Sequence, residues 1–121
     1  MPNVKTMTTR SQQWAEEAFL RVDARSTQLQ GQPRNEYASF AKSFPSLIHT
    51  CGLVQALAFA EAKKRRDYLK DLASVLATDP DRLLEQSRRL DLMGYVRLSR
   101  NAIEAAGWLK RYAEALMGDK S

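Results

Sequence analysis

The sequence is poor in the residues that carry covalent and metal chemistry. It has a single cysteine, Cys51, and a single histidine, His49, in 121 residues. One cysteine excludes an internal disulfide, so stability must come from packing, as in a protein of a reducing compartment. One His and one Cys are also too few for an ordinary zinc site. Only five glycines are present, and "GLVQALAF" lacks the second glycine and the lysine of a nucleotide-binding loop. No apolar run approaches the roughly 18 residues needed to span a bilayer, and "MPNVKTMTTR" has no signal-peptide core. A soluble, cytoplasmic protein with no membrane partner is expected. Acid is in short supply relative to base: 14 Asp and Glu against 19 Lys and Arg, a formal charge of +5. That balance favours an acidic partner, most simply a nucleic acid backbone.

What the chain does have is helical periodicity. Apolar residues make up 44%, enough for one core in one domain of this length. Thr8 or Thr9 can cap a first helix through about Arg25, with Trp14, Ala15, Ala18, Phe19 and Val22 on one stripe. Residues 1–7 precede that cap and are expected to form a disordered extension, leaving 8–118 as the helical domain. "STQLQGQPRN" reads as the longest loop. A second helix follows from about Asn35 to Thr50. Tyr37, Phe40, Ala41, Phe44, Leu47, Ile48 and Cys51 form its buried face, and Pro45 predicts a kink or a restart. Gly52 ends it. A third helix starts near Leu53 with Leu53, Ala56, Leu57 and Ala60 inward, and either continues or breaks near Lys64. A further apolar stripe comprises Tyr68, Leu69, Leu72, Val75 and Leu76. Asp79 and Pro80 mark a strong helix start. The last helix spans roughly residues 91–117 and stops at Gly118. The fold class is therefore all-α, a single-domain bundle of five or six helices.

Catalysis needs converging groups, and none is evident. On a helix, His49 and Cys51 lie about 200° apart in rotation, so Cys51 reads as a small buried residue and His49 as a partly exposed one. The carboxylates explain themselves locally: Asp79 as a cap, and Glu16, Glu17 and Asp81 in early helix turns, where the dipole favours negative charge. No enzyme, cofactor or metal site is expected. Helix, "TCG", helix has the outline of a DNA-reading motif. Yet its second helix offers only Gln55 to a base edge in its first two turns, so a helical DNA-binding regulator is the weaker alternative.

Positive charge gathers in two places. Lys63, Lys64, Arg65 and Arg66 wrap around a helix end, where they favour the dipole and cannot all face one ligand. The last helix is better organised. Arg97, Arg100, Glu104, Trp108 and Arg111 fall within an arc of about 80°, and Lys110 lies nearer the apolar face. That apolar face comprises Tyr95, Val96, Leu98, Ala102, Ile103, Ala106, Leu109, Ala113 and Leu116, and it is complete without Trp108. Trp108, beside the gap at Gly107, either folds over a neighbouring helix, contacts a partner subunit, or stacks on a base. Residues 82–111 carry seven basic groups against three acidic ones, which accounts for most of the net charge.

Three segments, "TRSQQWAEEAF", "GLVQALAFAEAK" and "YVRLSRNAIEAAGWLKRYAEAL", resemble in order and spacing the small subunit of the type III-B CRISPR effector, the Cmr RNA-silencing complex. The resemblance covers nearly the whole domain, from about Thr8 to Met117. It implies an all-helical, non-catalytic subunit without a cofactor, working in antiviral defence. Copies would stack along the effector beside the backbone subunits that hold guide RNA, and would line the path of target RNA. Cleavage would belong to the backbone subunits, and the signalling and DNA-directed activities to the large Cas subunit. The implied partners are target and guide RNA, those backbone and large subunits, and further copies of the chain. The candidate RNA contacts are Arg97, Arg100, Lys110, Arg111 and Arg10. The run of Lys63, Lys64, Arg65 and Arg66 joins them as a second-rank candidate, since it only touches a matched segment. Trp108, Gln12 and Gln55 are candidate partner or stacking residues. A pure protein-interaction scaffold without nucleic acid contact is the other alternative.

Overall fold

The computed structural model describes residues 8–118. Six helices follow one another: α1 (Arg10–Gln28), α2 (Gly31–Cys51), α3 (Leu53–Ala62), α4 (Arg66–Val75), α5 (Pro80–Arg89) and α6 (Leu92–Met117). No strand occurs among the described residues. The expected extension over residues 1–7 lies outside them.

Each boundary has a local cause. Thr9 starts α1 through a capping box: its hydroxyl accepts from the Gln12 amide N–H at 3.0 Å, while the Gln12 side chain accepts from the Thr9 N–H at 2.8 Å. Asp79 and Asp91 start α5 and α6 by accepting from the N–H groups of Arg82 and Gly94. Gly52 separates α2 from α3 with φ +87°, a conformation that a Cβ disfavours. The Val54 N–H, an orphan donor at the start of α3, donates to the Tyr95 hydroxyl of α6 at 3.1 Å. The turns before and after α4 each contain a left-handed residue that is not glycine, Lys64 (φ 60°) and Ala77 (φ 61°).

Two expectations are corrected. "STQLQGQPRN" is almost entirely helical: α1 runs on to Gln28, α2 begins at Gly31, and only Leu29 and Gln30 connect them. Pro33 falls in the first turn of α2, where its missing N–H removes no helical bond. Pro45 does not restart the helix either, since α2 is one element from Gly31 to Cys51. Burial of Tyr37, Ala41, Phe44 and Ile48 against the rest of the bundle carries the helix past it.

Helix α6 packs chiefly on α2 and α1, while α4 touches α1, α3, α5 and α6. Arg10 meets Glu104 and Phe19 meets Tyr112, so α1 and α6 run parallel. The core joins Ala18 and Val22 of α1, Phe44 of α2, Leu57 of α3, Leu72 of α4, Leu83 of α5 and Leu109 of α6, all fully buried. Helix α3 turns Leu53, Ala56, Leu57 and Ala60 inward, as its spacing predicts. Cys51 is exposed at the end of α2 rather than buried, because Ile48 takes the inward position one turn earlier.

Candidate nucleic-acid interface

Helix α6 displays the organised basic face. Arg97 and Arg100 are exposed and have no ion-pair partner among the described residues. Arg111 is exposed, and its guanidinium lies over the Trp108 ring, 5.2 Å from the centroid. Trp108 in turn stacks on Tyr112 (6.1 Å, 19° between planes), and Tyr112 receives Phe19 of α1 edge-on at 5.6 Å. Trp108 is half-buried against the core. Its aromatic and cationic neighbours, Tyr112 and Arg111, both lie on α6, and part of the ring stays open to solvent. The gap at Gly107 is filled by the same arginine, since a Cβ there would sit 3.4 Å from its guanidinium. Lys110 is half-buried. It lines a groove of about 430 Å³ with Pro45, Ile103, Glu104, Gly107, Arg111 and Glu114, so two cations there share space with two carboxylates.

Other candidates are partly committed inside the molecule. Arg10 pairs with Glu104 at 3.3 Å and lies 4.5 Å from the centroid of the Trp14 ring, and Ser11 donates to the same carboxylate. These contacts close the α1–α6 seam. Gln12 is a capping residue, with its amide oxygen occupied by the Thr9 N–H. Gln55 is exposed on α3 beside Val54, Ala58 and Phe59, so the outward face of α3 is too apolar to read bases.

The run 63–66 divides in two. Arg65 pairs with Glu36 of α2 at 3.3 Å and lies 5.8 Å from the centroid of Phe40. Arg66 opens α4 and pairs with Asp81 of α5 at 2.9 Å. The Glu36 carboxyl is held below its usual range by hydrogen bonds from Gln32 and then Arg65. Lys63 and Lys64 stay exposed with no carboxylate partner among the described residues, Lys63 lying 5.7 Å from the Phe59 centroid. So the four charges do not form one helix end. Two hold neighbouring helices, and two project from the α3–α4 turn.

One charged cluster was not anticipated from the sequence. Asp71 on α4 is fully buried. It accepts from Arg25 (2.9 and 3.0 Å), Arg21 (3.3 Å) and the Tyr37 hydroxyl (2.5 Å). The hydrogen bond to Asp71 raises the Arg25 pKa further. Burial, then the Asp71 charge, pushes the Tyr37 phenol well up, and the same two causes raise Tyr68. Asp71 sits on the apolar stripe, three residues after Tyr68 and four before Val75, and that placement was the available signal. The carboxylates are also less local than their positions suggested. Glu16 and Glu17 lie beyond the first turn of α1, and Glu17 accepts from Ser74 of α4. This is structural chemistry. His49 is exposed, and no group of three His, Cys, Asp or Glu able to hold a metal occurs among the described residues. No helix among them is long and apolar enough to cross a membrane.

Comparison with known proteins converges on one family. Residues 10–116 match the family described as CRISPR-associated protein (Cas_Cmr5). A relative from Thermus thermophilus, "CRISPR system Cmr subunit Cmr5", is 39% identical over 115 residues, covering 92% of this chain and 98% of its own. The crystal structure of a CRISPR-associated Cmr5 family protein from Thermus thermophilus superposes with a TM-score of 0.84 at 39% identity, over 92% of this chain and 99% of that one. With six helices in place and that match across nearly the whole domain, the chain belongs to the CRISPR-associated Cmr5 family.

Proposed function

We propose that this chain is the non-catalytic small subunit of a type III-B Cmr complex, stacking along the effector and contacting the backbone of target or guide RNA through the outer face of α6. The observation that carries the RNA contact is the pair Arg97 and Arg100, exposed and without a counterion among the described residues, on the helix that also carries Arg111 over Trp108. Guanidinium groups free of internal carboxylates are available to phosphate oxygens, and such contacts are sequence-blind. Lys110, Lys63 and Lys64 are secondary contacts. Arg10, Arg65 and Arg66 contribute field rather than direct bonds, because each already holds a carboxylate.

Salt dependence tests this reading. About four neutralised phosphates on single-stranded RNA give a log–log affinity slope of roughly −3. The complex containing this subunit should be steeper by about that amount than the complex lacking it. Equal slopes would overturn the RNA contact. A pure scaffold is the second reading, favoured by Leu92 and Met93, which are 75% and 68% exposed beside the same arginines. It requires Arg97→Glu with Arg100→Glu to impair assembly while RNA affinity of assembled complexes stays unchanged.

A further inference from the structure

A trough between α2 and α3 combines an aromatic wall with unpaired cations. Its first part, about 290 Å³, is lined by Glu36, Ser39 and Phe40 of α2, Phe59 of α3, and Lys63 and Arg65 of the turn that follows. A second part of about 290 Å³ continues past Ser46, Leu47 and Thr50. Ser43 and Phe59 line both parts, so the two form one depression. Together they reach the range of about 300–1,000 Å³ usual for small-molecule sites. None of Arg97, Arg100, Lys110 and Arg111 lines it, so it is separate from the α6 face.

Helical spacing brings these residues together. Glu36, Phe40 and Ser43 follow one edge of α2, and Phe59 and Lys63 are one turn apart at the end of α3. The inward positions of α3 are Leu53, Ala56, Leu57 and Ala60, which leaves Phe59 at the margin, 43% exposed. Its ring lies parallel to Phe40, with 10° between planes and 6.2 Å between centroids. Phe40 is itself packed on Phe44 and Tyr68. Phe59 is thus an exposed ring backed by a fixed aromatic cluster, and a pre-organised ring loses little freedom on binding.

The charge beside it is positive. Lys63 Nζ lies 5.7 Å from the Phe59 centroid, and neither Lys63 nor Lys64 has a carboxylate partner among the described residues. Glu36 is the one carboxylate among the described lining residues, and Gln32 and Arg65 already hold it at 3.1 and 3.3 Å. Glu61 lines the groove on the other side of α3, with Val54 and Ala58. Arg65 also keeps an Nε–H without an acceptor. A simple anion has no use for the ring, and an apolar side chain has none for the lysines. A nucleotide uses both, since bases stack on aromatic side chains while cations take the phosphate. Stacking needs no hydrogen-bond readout, so a face of α3 too apolar to read a base can still hold one.

We infer that the α2–α3 trough is a nucleotide subsite, with the base laid on Phe59 and the phosphate at Lys63 and Lys64. It is a second site, independent of the α6 arginines.

The test uses the full chain carrying Arg97→Glu and Arg100→Glu, which removes the α6 contribution, and a short oligouridine as the probe. Phe59→Ala should weaken binding by about 5- to 10-fold, the low end for one stacked base, without changing the salt slope. Phe59→Leu, which keeps the bulk and loses the ring, should do the same, and Phe59→Tyr should bind as the parent does. Lys63→Gln with Lys64→Gln should instead flatten the log–log salt slope by about 1.4. On the chain with α6 intact, a 5-iodouridine in the probe should photo-cross-link to Phe59. Parental affinity in Phe59→Leu would overturn the inference, because the trough would then be an apolar docking groove for protein. So would the absence of binding, or cross-links confined to Trp108 and Tyr112. AMP alone separates the two sources of a nucleotide: binding as tight as the oligomer's makes a free nucleotide the occupant, and weaker binding makes it a strand. Loss of the Phe59 effect with the α6 salt dependence intact sinks this site and spares the proposed function. The reverse result spares the site alone.

Discussion

Arg21 and Arg25 on α1, and Arg97 and Arg100 on α6, are the same residue type at nearly the same helical spacing, and they do opposite things. The first two converge on a carboxylate with no exposure at all. The second two face outward with no carboxylate among the described residues near enough to pair. The difference lies in the partner helix. Helix α4 presents Asp71 to α1, so two arginines become internal fasteners. No carboxylate among the described residues pairs with Arg97 or Arg100, so their charge is left without an internal partner. The count of basic residues therefore says little about binding, whereas the count lacking an internal counterion says a good deal.

This contrast can be broken from the buried side first. Asp71→Ala leaves two arginines and a tyrosine hydroxyl without their acceptor. Removing one partner of a buried pair costs about 3–5 kcal/mol. The low end applies, because the Arg21 and Arg25 side chains keep 40% and 17% exposure and can reach water. Urea unfolding should show the loss with an unchanged m-value. Tyr37→Phe removes one hydrogen bond from the same carboxylate and should cost about 1–3 kcal/mol by the same measurement.

The alkaline limb comes next. The Tyr37 and Tyr68 phenols are raised in the folded state, so the unfolded chain releases their protons first, from about pH 10. Their contribution is complete below that pH and is lost as pH rises above it, by up to about 1.4 kcal/mol per pH unit for each phenol. Thermal melts between about pH 8 and 11 should bend downward above about 10, where free phenols ionise, and Tyr68→Phe should flatten the bend. The outward side responds least in stability. Arg97→Glu with Arg100→Glu should shift unfolding by less than about 0.5 kcal/mol. Two fewer phosphate contacts should also remove roughly 1.4 from the RNA salt slope. A large stability loss there would erase the distinction between the two arginine pairs.

Much of this was legible beforehand. The Asp79–Pro80 start, the inward face of α3, the ends of α6 and the family itself follow from caps, spacing and three segments. The failures have particular physical sources. Gly31 and Pro33 look like breakers because their types break helix interiors, but the first turn of a helix tolerates both. Of the kink or restart expected at Pro45, the restart does not occur, because tertiary packing carries α2 across it. Periodicity assigns Cys51 inward, but it does not say where a helix face runs out of neighbours. At the interface, the arc joining Arg97, Arg100 and Arg111 is visible on a helical wheel. What the wheel cannot show is which cations meet a carboxylate from another helix, as Arg10, Arg65 and Arg66 do.

The left-handed turns on either side of α4 give the α3–α4 lysines an internal control. A non-glycine residue in that conformation costs about 1–2 kcal/mol, so glycine at Lys64 or at Ala77 relaxes the same backbone geometry. Ala77 carries no charge. Whatever glycine does at 77 is the backbone speaking alone, and any excess effect at 64 measures what the ammonium is for.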